Sequence, residues 1–229
     1  MINQNAQQNN TITENRYRSE HGFTIPGYRS YIATTPEHYE KAYRLRHEVY
    51  CTELGWVPEN PEGLEIDEFD KDAKLICVET DAGELIGTIR LLDECFDWMV
   101  EKFFSETISA SAASIKAISC VEASRNAVLP RFRHKYLCKS RITVLDMMLC
   151  TAMNYIWYGL GRTHVLITAE PLMGVILRRR GGAIQQVGPI VTMPDQCKIA
   201  SFLLDLEICK ETYEIYHSCL SLHEEYKSV

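Results

Sequence analysis

Apolar and polar positions alternate along this chain in short blocks whose period changes from two to nearly four and back, and those changes predict the elements. Tyr28 to Ala33 reads as a short strand. The segment Thr34-Thr35-Pro36-Glu37-His38 then marks a helix start. Thr34 as N-cap pairs with Glu37 in a capping box, whereas Thr35 as N-cap places Pro36 at the first helical position. Tyr39, Ala42, Tyr43, Leu45, Val49 and Tyr50 follow at helical spacing and face a core. From Gly55 to Lys74 the pattern is loop-like, with Pro58, Asn60, Pro61 and Gly63, and long loops in compact domains often carry function. Leu75 to Glu79 and Leu85 to Leu92 flank Asp81-Ala82-Gly83 as an antiparallel hairpin.

Beyond the hairpin, Phe96 to Ile108 reads as helix and Ile115 to Val121 as strand. Arg141 to Leu160 gives the longest helical pattern, ended by Gly159 and Gly161. Val165 to Ala169 is a buried strand, Leu172 to Arg180 a helix closed by Gly181-Gly182, and Ile199 to Leu206 a late strand. This order predicts an α/β sandwich around one mixed sheet, without internal repeats. The most apolar stretch, Val144 to Leu160, is broken by Asp146 and Asn154 and falls short of the about 20 residues a membrane span takes. It reads as a buried helix.

Composition narrows the picture. A chain of 229 residues with 46% hydrophobic content can bury one sizeable core. Met1 to Gly22 is polar, Asn- and Gln-rich and aperiodic, which predicts a flexible tail before one domain over residues 23–229 that closes on a C-terminal helix. No apolar signal core occurs there, so the expected location is cytoplasmic. A net charge of −7 argues against a nucleic-acid binder and for small-molecule chemistry. Nine cysteines without a Cys-x-x-Cys pair signal neither a disulfide framework nor a zinc ribbon. The histidines are scattered without ligand spacing, so no metal is expected, and Cys51 and Cys120 have no histidine near them in sequence except His47.

Two clusters carry candidate chemistry. In Ser119-Cys120-Val121-Glu122-Ala123-Ser124-Arg125, strand alternation puts Cys120, Glu122 and Ser124 on one face, so Glu122 could take a proton from an amine. The alternative is a strand-end ion pair between Glu122 and Arg125. The second cluster is Arg46, Tyr50 and Trp56 with Asp67, Asp70 and Arg90. Arg46 and Tyr50 are four apart and share a helix face. Taken alone they also fit a solvated arginine beside a core tyrosine, and the two acids fit ordinary loop positions. A calcium site is the weaker reading, because the acid spacing is not that of an EF-hand.

The order of these pieces is familiar. Leu45-Arg46-His47-Glu48-Val49-Tyr50, Glu53-Leu54-Gly55-Trp56 and Glu65-Ile66-Asp67-Glu68-Phe69-Asp70 are followed by Gly87-Thr88-Ile89-Arg90-Leu91-Leu92 and Glu122-Ala123-Ser124-Arg125. In order and spacing they resemble the acyl-homoserine-lactone synthase family of autoinducer synthases. Ile176 to Gly182 and Val187-Gly188-Pro189 look like that family's late helix and turn, so the resemblance covers about Tyr43 to Leu206. It implies a GNAT-like fold, a mixed and mostly antiparallel sheet with a splayed centre, flanked by helices. It also implies an acyltransferase for quorum-sensing signals. The donor is then an acyl-phosphopantetheine thioester on acyl-carrier protein, the amine acceptor is S-adenosylmethionine, and no cofactor is held permanently.

Carried over by position, Glu122, Ser124 and Arg125 are the expected catalytic residues, and Arg46, Tyr50, Trp56, Asp67, Asp70, Arg90 and Phe104 bind substrate. Tyr50 stands where the family usually has Phe. In this reading Asp67 and Asp70 attract the cationic acceptor, Trp56 offers a ring face to its sulfonium or adenine, and Arg46 holds its carboxylate. Ala127 to Lys135 resembles the acetyltransferase turn that meets a diphosphate. The expected glycines are replaced by Tyr136-Leu137-Cys138, which favours a carrier-protein arm over free coenzyme A. Arg131, Arg133, Lys135 and Lys139, with Arg141, would dock an acidic carrier, or simply form a solvated helix start.

Three segments depart from the family pattern: Val49-Tyr50-Cys51, Asn60-Pro61-Glu62-Gly63 and Ala169-Glu170-Pro171-Leu172. They look closer to the long-chain N-acyl-amino-acid synthases and exosortase-associated acyltransferases, which would use the same donor with another amine. A non-catalytic acyl-binding module on the same fold is the remaining alternative.

Overall fold

The computed structural model describes residues 22–228 apart from Cys138 and Ser140, so most of the expected tail, Met1 to His21, lies outside the described residues. Among these residues nine strands build one sheet: β1 (Phe23–Ile25), β2 (Tyr28–Ile32), β3 (Lys74–Thr80), β4 (Leu85–Leu92), β5 (Cys120–Val128), β6 (His164–Ala169), β7 (Ile184–Gln186), β8 (Val191–Thr192) and β9 (Lys198–Asp205). Their order is β1-β2-β3-β4-β5-β6-β9-β7, with β8 also on β9. Every described pairing is antiparallel except β5 with β6. This is the expected mixed, mostly antiparallel sheet of a GNAT-like fold. All eight residues of β4 are buried, so both of its faces are covered.

Helix α1 (Pro36–Arg46) starts at Thr35, whose hydroxyl accepts the His38 amide with Pro36 at the first position, the second of the two expected caps. It continues into π-helical turns over His47–Glu53. Helix α2 (Met99–Phe103) is shorter than the expected Phe96 to Ile108. Trp98 is its N-cap, with the Glu101 carboxylate folded back on the Trp98 amide at 2.8 Å, and Phe104 leaves helical geometry.

The expected strand from Ile115 is instead helix α3 (Ala112–Lys116), capped by the Ser111 hydroxyl on the Ser114 amide. Strand β5 begins only after Ser119 turns through a φ of 64°. Helix α4 (Val144–Asn154) starts at a reciprocal Thr143–Asp146 box, later than expected, and ends in π-helical turns over Tyr155–Gly159. Gly87 of β4 admits α4 to the sheet, because a Cβ there would lie 2.5 Å from Val144 Cγ1. Helices α5 (Pro171–Arg179), α6 (Leu206–Thr212) and α7 (Glu214–Lys227) complete the layers.

Candidate active site

The first positioning device is a break in the sheet. Strands β5 and β6 pair only as far as Ala123 and Ile167. Beyond that point β5 stays on β4 and β6 stays on β9, so the two strands part. On the β4 side, Thr88 pairs with Ala127 and Arg90 with Ser124, which leaves Arg125 and Asn126 opposite Ile89 alone. This is a bulge, and Arg125 adopts a φ of 50° within it. A non-glycine residue held there costs of order 1 kcal/mol and persists only where its surroundings over-determine it.

The surroundings of Arg125 are a closed ring of charges. Its Nε donates to Glu65 at 3.0 Å and its Nη2 to Asp67 at 2.9 Å. Asp67 also accepts from Arg90 Nη1, and that same nitrogen reaches Asp70 at 3.2 Å. Asp70 accepts two bonds from Arg46, at 2.7 and 3.0 Å, and Arg46 Nε returns to Glu65. Three arginines and three carboxylates thus alternate around a circuit with no net charge. The Arg46 and Arg90 side chains are fully buried, while those of Asp67 and Arg125 stay about one-fifth exposed. Burial alone would raise the Asp70 pKa, but the Arg46 hydrogen bonds and charge, with the charge of Arg90, hold it below the ordinary carboxylate range. Arg90 Nε further donates to Ser124 Oγ at 3.1 Å and its Nη2 meets Met99 Sδ at 2.7 Å.

Beside this ring lies a cavity of about 290 Å³. Its body is apolar, formed by side chains such as Leu149 and Met153 of α4, Ile156 of the π-helical turns after it, Met173 of α5 and Leu204 of β9. Polar groups gather where the strands part: Ser124, Arg125 and Asn126 on β5, with Thr168 and Glu170 on the β6 side. Trp56, 53% exposed, and Leu172, 62% exposed, mark the open end. Tyr50 reaches the cavity from the π-helical turns, where Trp56 N donates to Tyr50 O at 2.9 Å. Its hydroxyl donates to Asn126 O at 2.8 Å, its ring stacks on Trp56 at 6.0 Å, and the Arg125 guanidinium sits over it at 5.7 Å. Burial pushes the Tyr50 phenol up to about 12 despite that guanidinium.

Several expected roles change in this geometry. Arg46 has no exposed face for a substrate carboxylate, since a buried guanidinium needs partners and Glu65 and Asp70 already supply them. Asp70 is likewise enclosed, so of the two expected acids only Asp67 retains an exposed edge. Glu122 neither pairs with Arg125 nor lies on the cavity wall. Its two oxygens accept the first amides of α2, Met99 at 2.7 Å and Val100 at 2.8 Å. Burial raises its pKa to about 7, against the lowering effect of those amides.

Phe104 also lies off the cavity wall, packing edge-on against Phe103. Its carbonyl accepts from Thr107, which joins Ser201 and Thr168 in a chain of hydroxyls that ends at the wall. Arg131 is paired with Glu84, and Arg133 is bidentate to Glu53 at 2.6 Å on each arm, so their charges are answered within the chain. Lys135 packs over the Phe132 ring at 5.8 Å, and Lys139 and Arg141 are exposed.

Glu65, Met99 and Asn126 were not among the sequence candidates. Glu65 had a signal, since Glu65, Asp67 and Asp70 cluster in the acidic loop after Trp56. Met99 and Asn126 had none, because an apolar residue and an amide carry no chemistry until the sheet places them.

A family model described as autoinducer synthase matches residues 31–212. The acyl-homoserine-lactone synthase of Aeromonas salmonicida is 38% identical over 71 residues, which are 31% of this chain and 34% of that protein. The match therefore spans about a third of that relative's own length. Among solved structures, TofI in a ternary complex with an inhibitor and MTA aligns with a TM-score of 0.66 at 20% identity, covering 79% of this chain and 94% of that one. BjaI, a CoA-dependent acyl-homoserine lactone synthase with SAM and isopentyl-CoA, aligns with a TM-score of 0.63 at 18% identity, covering 78% and 80%. At these identities the two structures share the fold.

Proposed function

The chain belongs to the autoinducer synthase family, and from that premise we propose that it is an acyltransferase joining a fatty acyl thioester to the amine of S-adenosylmethionine to give an N-acyl-homoserine lactone. The observation that carries this reading is the juxtaposition of an apolar cavity of about 290 Å³ with a polar mouth backed by the closed ring of arginines and acids. Such a site takes a molecule that is greasy at one end and charged at the other. The acyl chain fills the cavity between α4 and α5, which places the thioester carbonyl where β5 and β6 part.

The chemistry follows from that placement. The acceptor nitrogen forms a bond to the carbonyl carbon, the C–S bond breaks, and the donor leaves as a thiol. The acceptor's carboxylate then attacks its own carbon next to the sulfonium, the ring closes, and methylthioadenosine departs. Trp56 and Tyr50 give that acceptor an aromatic face at the mouth, and Ser124, held by Arg90, contacts the reacting end. Asp67 and Arg125 meet the charged head at their exposed edges. Arg46, Asp70, Arg90 and Glu65 act as positioning residues. They fix the acidic loop and the β5 bulge before substrate arrives, so no reorganisation is needed when charge develops.

For the donor, the reading favours a carrier-protein arm. The start of α4, where a diphosphate would sit, is closed by the Thr143–Asp146 box and holds a buried carboxylate paired with Arg180 at 2.7 Å. Lys135 and Lys139, rather than the paired Arg131 and Arg133, carry the docking surface for an acidic carrier.

The test is direct. Purified protein is given S-adenosylmethionine with acyl-carrier-protein thioesters or acyl-coenzyme A, and methylthioadenosine and lactone are followed by mass spectrometry. Release with either donor supports the transferase reading, and faster turnover of the carrier thioester supports the donor assignment. Thioester consumption with a free amino acid and no methylthioadenosine would move the reaction to N-acyl-amino-acid synthesis. No product with any donor would reject acyl transfer.

A further inference from the structure

The cavity wall contains one carboxylate, and it is not Glu122. Glu122 is held by the first amides of α2, whereas Glu170 lines the cavity. Glu170 follows β6 directly and is the N-cap residue of α5, yet its side chain makes no capping bond. It is exposed and, among the described residues, has no ion-pair partner. Its carboxylate accepts a weak thiol donation from Cys197 at 3.5 Å.

A second observation lies across the gap. Asn126 stands on β5 and Glu170 follows β6, the two strands that part at this end of the cavity. Asn126 also lines the cavity, and its amide oxygen is buried without a hydrogen-bond partner. A buried acceptor left unpaired is destabilising, and a ligand that supplies the donor relieves it. Two acceptors, one of them anionic, therefore belong to the cavity wall, and among the described residues no N–H donor answers either side chain. The group that fits is a cation bearing N–H bonds.

Resting on the transferase reading above, we propose that Glu170, with Asn126 on the same cavity wall, forms the subsite for the acceptor's ammonium group, and that Glu170 takes the proton that frees this nitrogen for attack. The step balances without a further reactant. One ammonium proton passes to the Glu170 carboxylate, and the nitrogen lone pair forms the C–N bond at the thioester carbonyl carbon. As the C–S bond breaks, its electron pair stays on sulfur. The second nitrogen proton goes to that thiolate, and Glu170 returns its proton to solvent.

The test compares wild type with Glu170→Gln in the full chain, at saturating donor and varied S-adenosylmethionine. Gln keeps the shape of Glu and removes no cap, so unchanged thermal stability checks the fold. Expected is a fall in kcat of at least about 100-fold, the scale of general-base catalysis, with the donor KM unchanged. The rate of the variant should climb as pH rises through the about 8 of a free amino group, where solution does the deprotonation, while wild type has already levelled.

Asn126→Leu should raise the KM for S-adenosylmethionine several-fold with a smaller change in kcat. If Glu170→Gln keeps kcat within about threefold and the pH profile of wild type, the inference is overturned and the transferase reading stands. If wild type itself releases no methylthioadenosine with any thioester, both are overturned.

Discussion

Replacing Arg46 with methionine removes one cation from the buried ring and leaves Asp70 and Glu65 each with one remaining arginine, Arg90 and Arg125 respectively. Breaking a buried pair from one side typically costs 3–5 kcal/mol. The surviving partners place Arg46→Met near the lower end, about 3 kcal/mol. For a chain of this length each kcal/mol moves Tm by roughly 2–4 °C, so the midpoint should fall by about 10 °C. The assay is thermal unfolding followed by circular dichroism at pH 7.5, paired with the S-adenosylmethionine KM of the folded variant at low temperature.

Adding Asp70→Leu should cost less than the sum of the single changes, with a coupling of at least about 1 kcal/mol, because the two residues share one interaction. The reasoning is refuted if Arg46→Met leaves Tm unchanged while raising KM ten-fold. That outcome would make Arg46 a substrate clamp instead of part of the frame.

Other consequences are equally specific. Because Glu122 is raised from 4.5 to about 7 by burial, the native state binds more protons than the unfolded chain between those values. Stability is therefore highest below about pH 4.5 for this group and declines by up to about 3 kcal/mol as pH rises through 7, a decline that Glu122→Gln should flatten in denaturant titrations. Leu149→Trp should shift products toward shorter acyl chains, since each methylene denied burial loses about 0.8 kcal/mol, close to a four-fold preference, as read by product mass spectrometry. Lys135→Glu with Lys139→Glu should raise the KM for a carrier-protein donor and weaken its salt dependence while leaving acyl-coenzyme A kinetics unchanged. Arg131→Ala should do little to either donor.

Much of the fold could be read from periodicity where one face or both faces of an element are apolar. The β3–β4 hairpin, β6, β9 and α5 fall within a residue or two of their expected bounds, and α1 starts as expected but gives way to π-helical turns after Arg46, before the expected core positions Val49 and Tyr50. Prediction failed where residues serve the site instead of the core. Strand β5 was expected to stop at Val121 because Glu122, Ser124, Arg125 and Asn126 interrupt its apolar run, yet Ser124, Arg125 and Asn126 line the cavity and Glu122 holds the start of α2. Helix α3 was missed because Ser111, its cap, stands before a five-residue segment with too few apolar residues to show a period.

The site was legible as a set of residue types, since Arg46, Asp67, Asp70, Arg90 and Arg125 do come together. Their connectivity was not. Whether a guanidinium faces a substrate or three neighbouring acids depends on burial, which only the packed sheet decides. The role of Glu170 was hidden for the same reason: it shares a cavity wall with Asn126 only once the sheet is packed, and no local motif signals it.

The central claim, acyl transfer to the amine of S-adenosylmethionine followed by ring closure, is tested most directly by feeding cells expressing the chain methionine that carries ¹³C in its carboxyl, Cα, Cβ and Cγ carbons. The account predicts lipophilic N-acyl lactones whose head group carries all four labelled carbons and no sulfur. Acylated products that lack the label, or that keep an intact methionine side chain, would contradict it.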